Sequence, residues 1–370
     1  MIIGCPCEIK VRENRVGIVP ASAKALCQDG HEVLIQKGAG LGSGISDQEY
    51  EAAGAKIVPS AQEVWKRAEM VVKVKEPLEK EYELMRPGQI LYAYLHLAAE
   101  PKLTKALIEK QVSGVAYETV QVGRSLPLLK PMSEVAGRMS IQVGAWCLEK
   151  QQGGKGMLLG GVVGVQKANV VILGAGVVGS NAAKMALGLG AQVTLIDTNL
   201  ERLEYLEDIF GGRVQTLYSN AHNIAESVAQ ADLVVGGVLI AGAKAPKLVT
   251  KEMVCSMSKG SVIVDTAVDQ GGCVETMHAT THDDPIFDVE GVVHYGVSNM
   301  PGAVARTSTF ALAHATLIYM RQLANLGVKE ACDKDASLAL GLNTYRGHVT
   351  YKAVADTHGV PFVDRKGLDG

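Results

Sequence analysis

The sequence predicts an α/β protein built of two doubly wound, mostly parallel sheets, one domain inserted into the other. Three observations carry that reading. Short apolar runs alternate with helix-length stretches along most of the 370 residues, the pattern of parallel strands covered by helices on both faces. Aromatic residues make up only 5% of the chain, so its apolar 47% is mostly Val, Ala, Leu and Ile, as suits buried parallel strands. The alternation also comes in two series, and after Pro301 the chain returns to helix, which is how a discontinuous domain closes around an insertion.

In the first series, residues 1–3, 32–35, 70–74, 89–95 and 114–117 read as strands; 21–27, 48–53, 61–68 and 102–110 read as helices. One long helix is expected over 133–150, then an exposed loop at Gln151-Gln-Gly-Gly-Lys-Gly156. Strands of the second series fall at 169–173, 192–196, 213–217, 233–236, 261–265 and 292–295. Helical patterns close the chain at 306–326, 337–340 and 349–357. The domains are therefore placed at 1–130 with 305–370, and at 131–304.

Composition narrows the function. With 36 Lys+Arg against 39 Asp+Glu, the net charge of −3 offers no basic surface for nucleic acid or an anionic membrane. No apolar run reaches the ~20 residues of a membrane span, and the N-terminus lacks a signal-peptide pattern. Seven scattered cysteines, an odd number, fit reduced thiols in a cytoplasm; Cys5-x-Cys7 lacks the second pair that a zinc site needs.

The sharpest motif is Gly174-Ala-Gly176-Val177-Val178-Gly179, directly after the 169–173 strand and opening a helix. Gly174 makes a tight turn, Gly176 lets backbone approach a pyrophosphate, and Gly179 lets helix pack on strand. The helix start offers free N–H groups to phosphates. Asp197, at the end of the next strand, can accept both ribose hydroxyls and would repel a 2′-phosphate, so NAD is expected rather than NADP, with Arg202 the one nearby cation. Two other glycine clusters are loops: Gly38 to Gly44 lacks a glycine at position 43, and Gly153 to Gly156 has no Ser or Thr after its lysine.

Four polar residues follow strand ends, where open α/β sheets bind ligands: Arg15, Lys75, His96 and Asp269. Taken singly each has a plain structural reading, a solvated cation, a structural histidine or a turn-forming Asp. Together with a nicotinamide they suit oxidation of an amino or hydroxy acid. Two cations fix a carboxylate, and an imidazole moves protons near neutrality with an Asp beside it.

Five stretches, Glu8-Ile-Lys-Val-Arg-Glu-Asn-Arg15, Val74-Lys75-Glu-Pro77, Tyr94-Leu-His96-Leu-Ala, the glycine motif and Asp265-Thr-Ala-Val-Asp269, closely resemble the L-alanine dehydrogenase family. Ser298-Asn-Met-Pro-Gly-Ala-Val-Ala-Arg-Thr-Ser extends the resemblance over essentially the full chain. It implies two Rossmann-like domains, the NAD-binding one inserted into a discontinuous substrate domain, usually in a homohexamer. It implies reversible, NAD-dependent conversion of L-alanine to pyruvate and ammonium without a metal. Arg15 and Lys75 then bind the substrate, and His96 and Asp269 form the catalytic pair. NAD contacts are implied at Ser133, Gly174, Gly176, Val177, Val178, Gly179, Asp197, Arg202, Ser219, Val238, Leu239, Thr266, Ala267, Val268, Asp269, Val297, Ser298, Asn299 and Met300. His278 stands where the family often has a basic cofactor contact.

The nearest rival is the soluble NAD-binding subunit of nicotinamide nucleotide transhydrogenase, which resembles this family but generally lacks counterparts of Lys75 and His96. A saccharopine-type dehydrogenase shares the two-domain plan. A sensor that binds NAD without turnover is the rival from another class, and the intact His96 and Asp269 count against it.

Overall fold

The structure is a computed structural model that describes residues 1–238 and 245–368. Its chain divides into two compact units, Met1–Met132 with Val304–Gly370 and Ser133–Ala303. The first unit begins with β1 (Ile2–Cys5), α1 (Pro20–Gln28), β2 (Glu32–Gln36), α2 (Asp47–Ala52), β3 (Lys56–Val58) and α3 (Ala61–Arg67). It continues through β4 (Met70–Val72), α4 (Glu79–Tyr82), β5 (Ile90–Ala93), α5 (Pro101–Glu109) and β6 (Ser113–Ala116). Helix α6 (Lys130–Cys147) follows, then β7 (Asn169–Leu173), α7 (Val177–Gly188), β8 (Gln192–Asp197), α8 (Leu200–Phe210) and β9 (Val214–Tyr218). Next come α9 (Ala221–Gln230), β10 (Leu233–Gly236), α10 (Lys251–Ser256), β11 (Val262–Asp265), β12 (Ile286–Val289) and β13 (Val292–Tyr295). The chain closes with α11 (Ala305–Lys334), α12 (Ala336–Gly341), β14 (Leu342–Tyr345), β15 (His348–Val349) and α13 (Lys352–His358).

Among the described residues the first sheet runs β15-β14-β6-β5-β4-β1-β2-β3 and the second β12-β13-β11-β10-β7-β8-β9. Strands β1 to β6 pair in parallel, as do β7 to β11 with β13. Both parallel cores have the doubly wound order in which connections reverse direction beside the first strand. The reversal lies between β1 and β4 in one unit and between β7 and β10 in the other. Ligands of open α/β sheets bind outside the carboxyl ends of the strands at such a point.

Local chemistry starts the helices where the sequence places them. Ser46 and Glu49 form a capping box on α2, Ser60 caps α3, and Asn199, Asn220 and Thr250 cap α8, α9 and α10. Pro20 and Pro101 sit in the first turns of α1 and α5, where a missing N–H costs nothing. Strands β10, β11 and β13 are buried along their whole length, which suits their mostly apolar composition, with Asp265 and His294 the buried polar members. Val171, Val234 and Ile263 anchor the second unit's core; Trp65, Leu91 and Leu107 anchor that of the first.

The strands that periodicity misses are short or at edges. β3 has three residues, β12 and β15 pair antiparallel at sheet edges, and β14 pairs antiparallel between β15 and β6. Val349, read as the start of a helix, pairs in β15 with Thr344 instead, and the helix begins at Lys352. β14 was illegible because it buries Asn343 and Thr344. Thr344 Oγ1 donates to Val112 O and accepts the Gly114 N–H, each at 3.0 Å, so burial leaves no polar debt there. The closing helix α11 is longer than its periodicity implies and breaks at Gly327, whose φ of 73° and ψ of 170° are non-helical.

Candidate functional site

Three of the predicted residues lie in the first unit, beyond the carboxyl ends of three adjacent strands. Arg15 follows β1, Lys75 follows β4 and His96 follows β5. Sequence distance hides this neighbourhood, which the parallel order β5-β4-β1 creates.

Arg15 is 2% exposed and is held by Glu13, which accepts from Nε at 2.7 Å and from Nη2 at 2.6 Å. Its Nη1 lies 3.1 Å from Met132 Sδ. The guanidinium fork predicted to grip a substrate carboxylate therefore has one edge engaged by a neighbour in the sequence.

Lys75 is half-buried, and its Nζ has no hydrogen-bond or ion-pair partner among the described residues. Burial, with the Arg15 charge beside it, lowers its pKa below the usual lysine value. The loop that carries it is shaped by fully buried Lys73, whose Nζ lies 3.0 Å from Glu81 Oε1 and 3.4 Å from Glu8 Oε2. Glu8 Oε1 also accepts the Val74 N–H at 2.6 Å. Lys73 thus has carboxylates in direct contact, whereas Glu76 and Glu13 act on Lys75 only through space.

His96 adopts a φ of 50°, in the left-handed region that a side chain enters only when its surroundings hold it there. Glu118, in the turn after β6, accepts the His96 N–H at 2.6 Å and the Leu95 N–H at 3.2 Å. The carboxylate hydrogen-bonded to the ring is Glu76, 3.1 Å from Nδ1. Glu8, Glu13 and Glu76 stood inside the motifs that drew attention to their neighbours, and their spacing beside Arg15, Lys73 and Lys75 was the available signal. Glu118 had none, since tertiary folding alone brings it 22 residues back to His96.

In the second unit the glycine motif is built as a dinucleotide turn. Gly174 has a φ of 98°, and a Cβ at Gly179 would lie 1.8 Å from Gly174 O, so only glycine permits the helix to pack there. A Cβ at Gly176 would meet no protein atom within 4 Å, which leaves the side a pyrophosphate approaches open. Gly176 is the N-cap of α7, with Val177 at its first turn and Val178 buried behind it. The donor set fits a dinucleotide.

Asp197 ends β8 and braces this turn: Oδ2 accepts the Ala175 N–H at 2.6 Å and Oδ1 the Asn199 N–H at 2.8 Å. Arg202 donates from Nε to Ala175 O at 2.9 Å and lies over the Tyr205 ring, so its guanidinium is engaged locally. Replacing Asp197 with Ala is expected to weaken NAD binding and to narrow its advantage over NADP, measured by fluorescence titration of both reduced nucleotides. An unchanged ratio would assign the preference to Arg202 or another group.

The other residues implied for the cofactor sit on loops after neighbouring strands. Ser219 follows β9 and donates its N–H to Asp197 O at 2.9 Å. Val238, half-buried, follows β10 beside Gly174; Leu239 lies outside the described residues. Thr266, Ala267, Val268 and Asp269 follow β11, and Val297, Ser298, Asn299 and Met300 follow β13. Fully buried Asp265 clamps the β11 loop, accepting N–H groups of Ala267 at 2.9 Å and Cys273 at 2.7 Å. Burial raises its pKa despite those bonds. Asp269 Oδ2 in turn accepts the Asn299 N–H at 3.3 Å, joining the two loops. Ser133 is half-buried on α6. The His278 ring stacks on Phe287 with centroids 3.8 Å apart.

Comparison with known proteins places both units. The chain matches the family models for the alanine dehydrogenase/PNT N-terminal domain over residues 4–136 and C-terminal domain over residues 140–352. It is 62% identical to an alanine dehydrogenase of Methanococcus maripaludis over 98% of each chain. A solved L-alanine dehydrogenase superposes with a TM-score of 0.95 at 56% identity, covering 97% of this chain and 99% of the other. A transhydrogenase from Sinorhizobium meliloti superposes with a TM-score of 0.83 at 28% identity, over 94% of this chain and all of its own. Fold alone does not separate these two, but identity does, and the chain belongs to the alanine dehydrogenases of the alanine dehydrogenase/PNT family.

Proposed function

We propose that the chain catalyses the reversible, NAD-dependent oxidative deamination of L-alanine to pyruvate and ammonium. The observation that carries this reading is Lys75, an ammonium with no hydrogen-bond or ion-pair partner among the described residues and with the Arg15 charge beside it, on a sheet whose neighbouring strand end carries a histidine held in a costly backbone conformation. A small carboxylate supplies what Lys75 lacks. A nucleotide-to-nucleotide hydride carrier has no use for such a group in its first unit.

Arg15 and Lys75 bind the carboxylate, and the Lys75 charge also draws electron density from the oxygen that becomes the keto group. When bound at the glycine turn and Asp197, NAD supplies the acceptor for the hydride leaving Cα. His96 takes a proton from the water that adds to the resulting iminium carbon and gives it to the carbinolamine nitrogen; as the C–N bond breaks the hydroxyl proton passes back to His96, and the departing ammonia takes up a proton from solvent as ammonium. Asp269 is proposed as the second acid–base group on the strength of the family resemblance. The implied cofactor contacts, including Ser133 and the loops after β9, β10, β11 and β13, are proposals on the same ground. So is a homohexamer, which sedimentation of the purified chain would measure, and so is a cytoplasmic location.

Two assays on one preparation test the function. NADH formation from L-alanine is expected, together with no measurable hydride transfer from NADH to a second nucleotide. The opposite result would return the chain to the transhydrogenase reading.

A further inference from the structure

An imidazole has two nitrogens, and its surroundings decide which one does chemistry. His96 Nδ1 faces Glu76 Oε2 at 3.1 Å, and a carboxylate can only accept, so Nδ1 holds the proton and Nε2 keeps its lone pair. Glu76 is itself 4% exposed and paired with Lys10. Burial opposes its charge, but hydrogen bonds from His96 and Lys10 outweigh burial and bring its carboxyl down to about 2. It therefore stays anionic wherever a histidine titrates. The other groups at the ring are Glu118, bonded to the His96 backbone, and Tyr94, whose ring stacks at 6.0 Å with its hydroxyl donating to Leu128 O.

We propose that Glu76 is a positioning residue for the proton transfers: it locks His96 in the Nδ1–H form and presents Nε2 to the reacting proton, while Lys10 moderates the charge Glu76 lends. The inference rests on the reading of His96 as the proton carrier. It differs from a purely structural role in one measurable respect. Charge beside the ring moves the pH at which the ring titrates, and the two neighbours of opposite sign move it in opposite directions.

The test is the pH profile of kcat for alanine deamination, in which His96 acts as a base and activity falls as the ring protonates. Glu76→Gln keeps an accepting oxygen but removes the negative charge. Its acid limb is expected to move to lower pH by about half a unit or more, with kcat about 10-fold lower and NADH affinity unchanged. Lys10→Met leaves the Glu76–His96 bond in place and removes the opposing charge, so its acid limb is expected at higher pH. Limbs that stay at the wild-type position, or move in the same direction, overturn the proposal. Should Glu76→Gln fail to fold, Lys10→Met decides alone: an upward shift supports the proposal and no shift overturns it. His96→Ala is run beside them. Retained turnover in that variant removes the acid–base reading and this inference with it. An inactive His96→Ala beside wild-type limbs in the other variants removes this inference alone.

Discussion

Replacing His96 with Ala is expected to lower turnover of L-alanine by ~10²-fold or more while NADH binding stays intact. Water addition and ammonia loss each need a proton moved at the substrate carbon's substituents, and no other imidazole of the first unit follows β1, β4 or β5 among the described residues. The conformation of His96 sharpens the expectation. A residue with φ of 50° is held there by Glu118 at a cost of order 1 kcal/mol or more, which a structural histidine on an ordinary loop would not require. The measurement is steady-state kinetics beside an NADH fluorescence titration on the same folded variant. Near-normal turnover would end the assignment of His96 as the proton carrier.

The second large effect is expected at Lys75 and Arg15. Alanine and pyruvate have little apolar surface, one methyl group being worth roughly 1 kcal/mol, so their affinity must come mostly from the carboxylate. A charge-assisted hydrogen bond contributes about 1.5–3 kcal/mol, so losing one is expected to raise the pyruvate KM on the order of 10–100-fold. Lys75→Ala should show this with NADH affinity little changed. Arg15→Ala should do the same and add a structural cost, because buried Glu13 then loses the guanidinium paired with it. Arg15→Lys is also expected to be harmful, since a point charge cannot bond both Glu13 oxygens as the guanidinium does.

The lowered pKa of Lys75 gives this a pH signature. The ammonium binds the carboxylate and the neutral amine does not, so pyruvate affinity should hold below the Lys75 pKa. It should fall as pH rises through that value, which burial and Arg15 set below that of an ordinary lysine. Pyruvate saturation measured across alkaline pH checks it. If pyruvate saturation were unaffected in the variants while NADH binding collapsed, the cations would serve a nucleotide and the transhydrogenase reading would return.

Much of this was legible before any coordinates. The sequence limits of strands β7, β10 and β13 match the observed ones, because a largely buried parallel strand is a short, mostly apolar run bounded by turns. Gly174, Gly176, Gly179 and Asp197 could be given separate tasks from spacing alone, since each task depends on backbone shape over a few residues. Arg15, Lys75 and His96 could be named as strand-end residues for the same local reason. Strands β3, β12, β14 and β15 could not be read, since segments of two to four residues with polar members carry no period.

What tertiary structure alone decided was which charges are compensated. Arg15, Lys73 and Lys75 look alike as cations in a sequence, yet Glu13 binds the first, Glu8 and Glu81 enclose the second, and the third has no such partner among the described residues. Likewise the sequence named His96 but not Glu76 as its ring partner or Glu118 as the anchor of its backbone. The physical reason is range. Strand period, capping and glycine turns act over a few residues along the chain. Charge pairing and hydrogen bonding act over about 3 Å in space, and at the ends of parallel strands β1, β4, β5 and β6 that space is assembled from segments tens of residues apart.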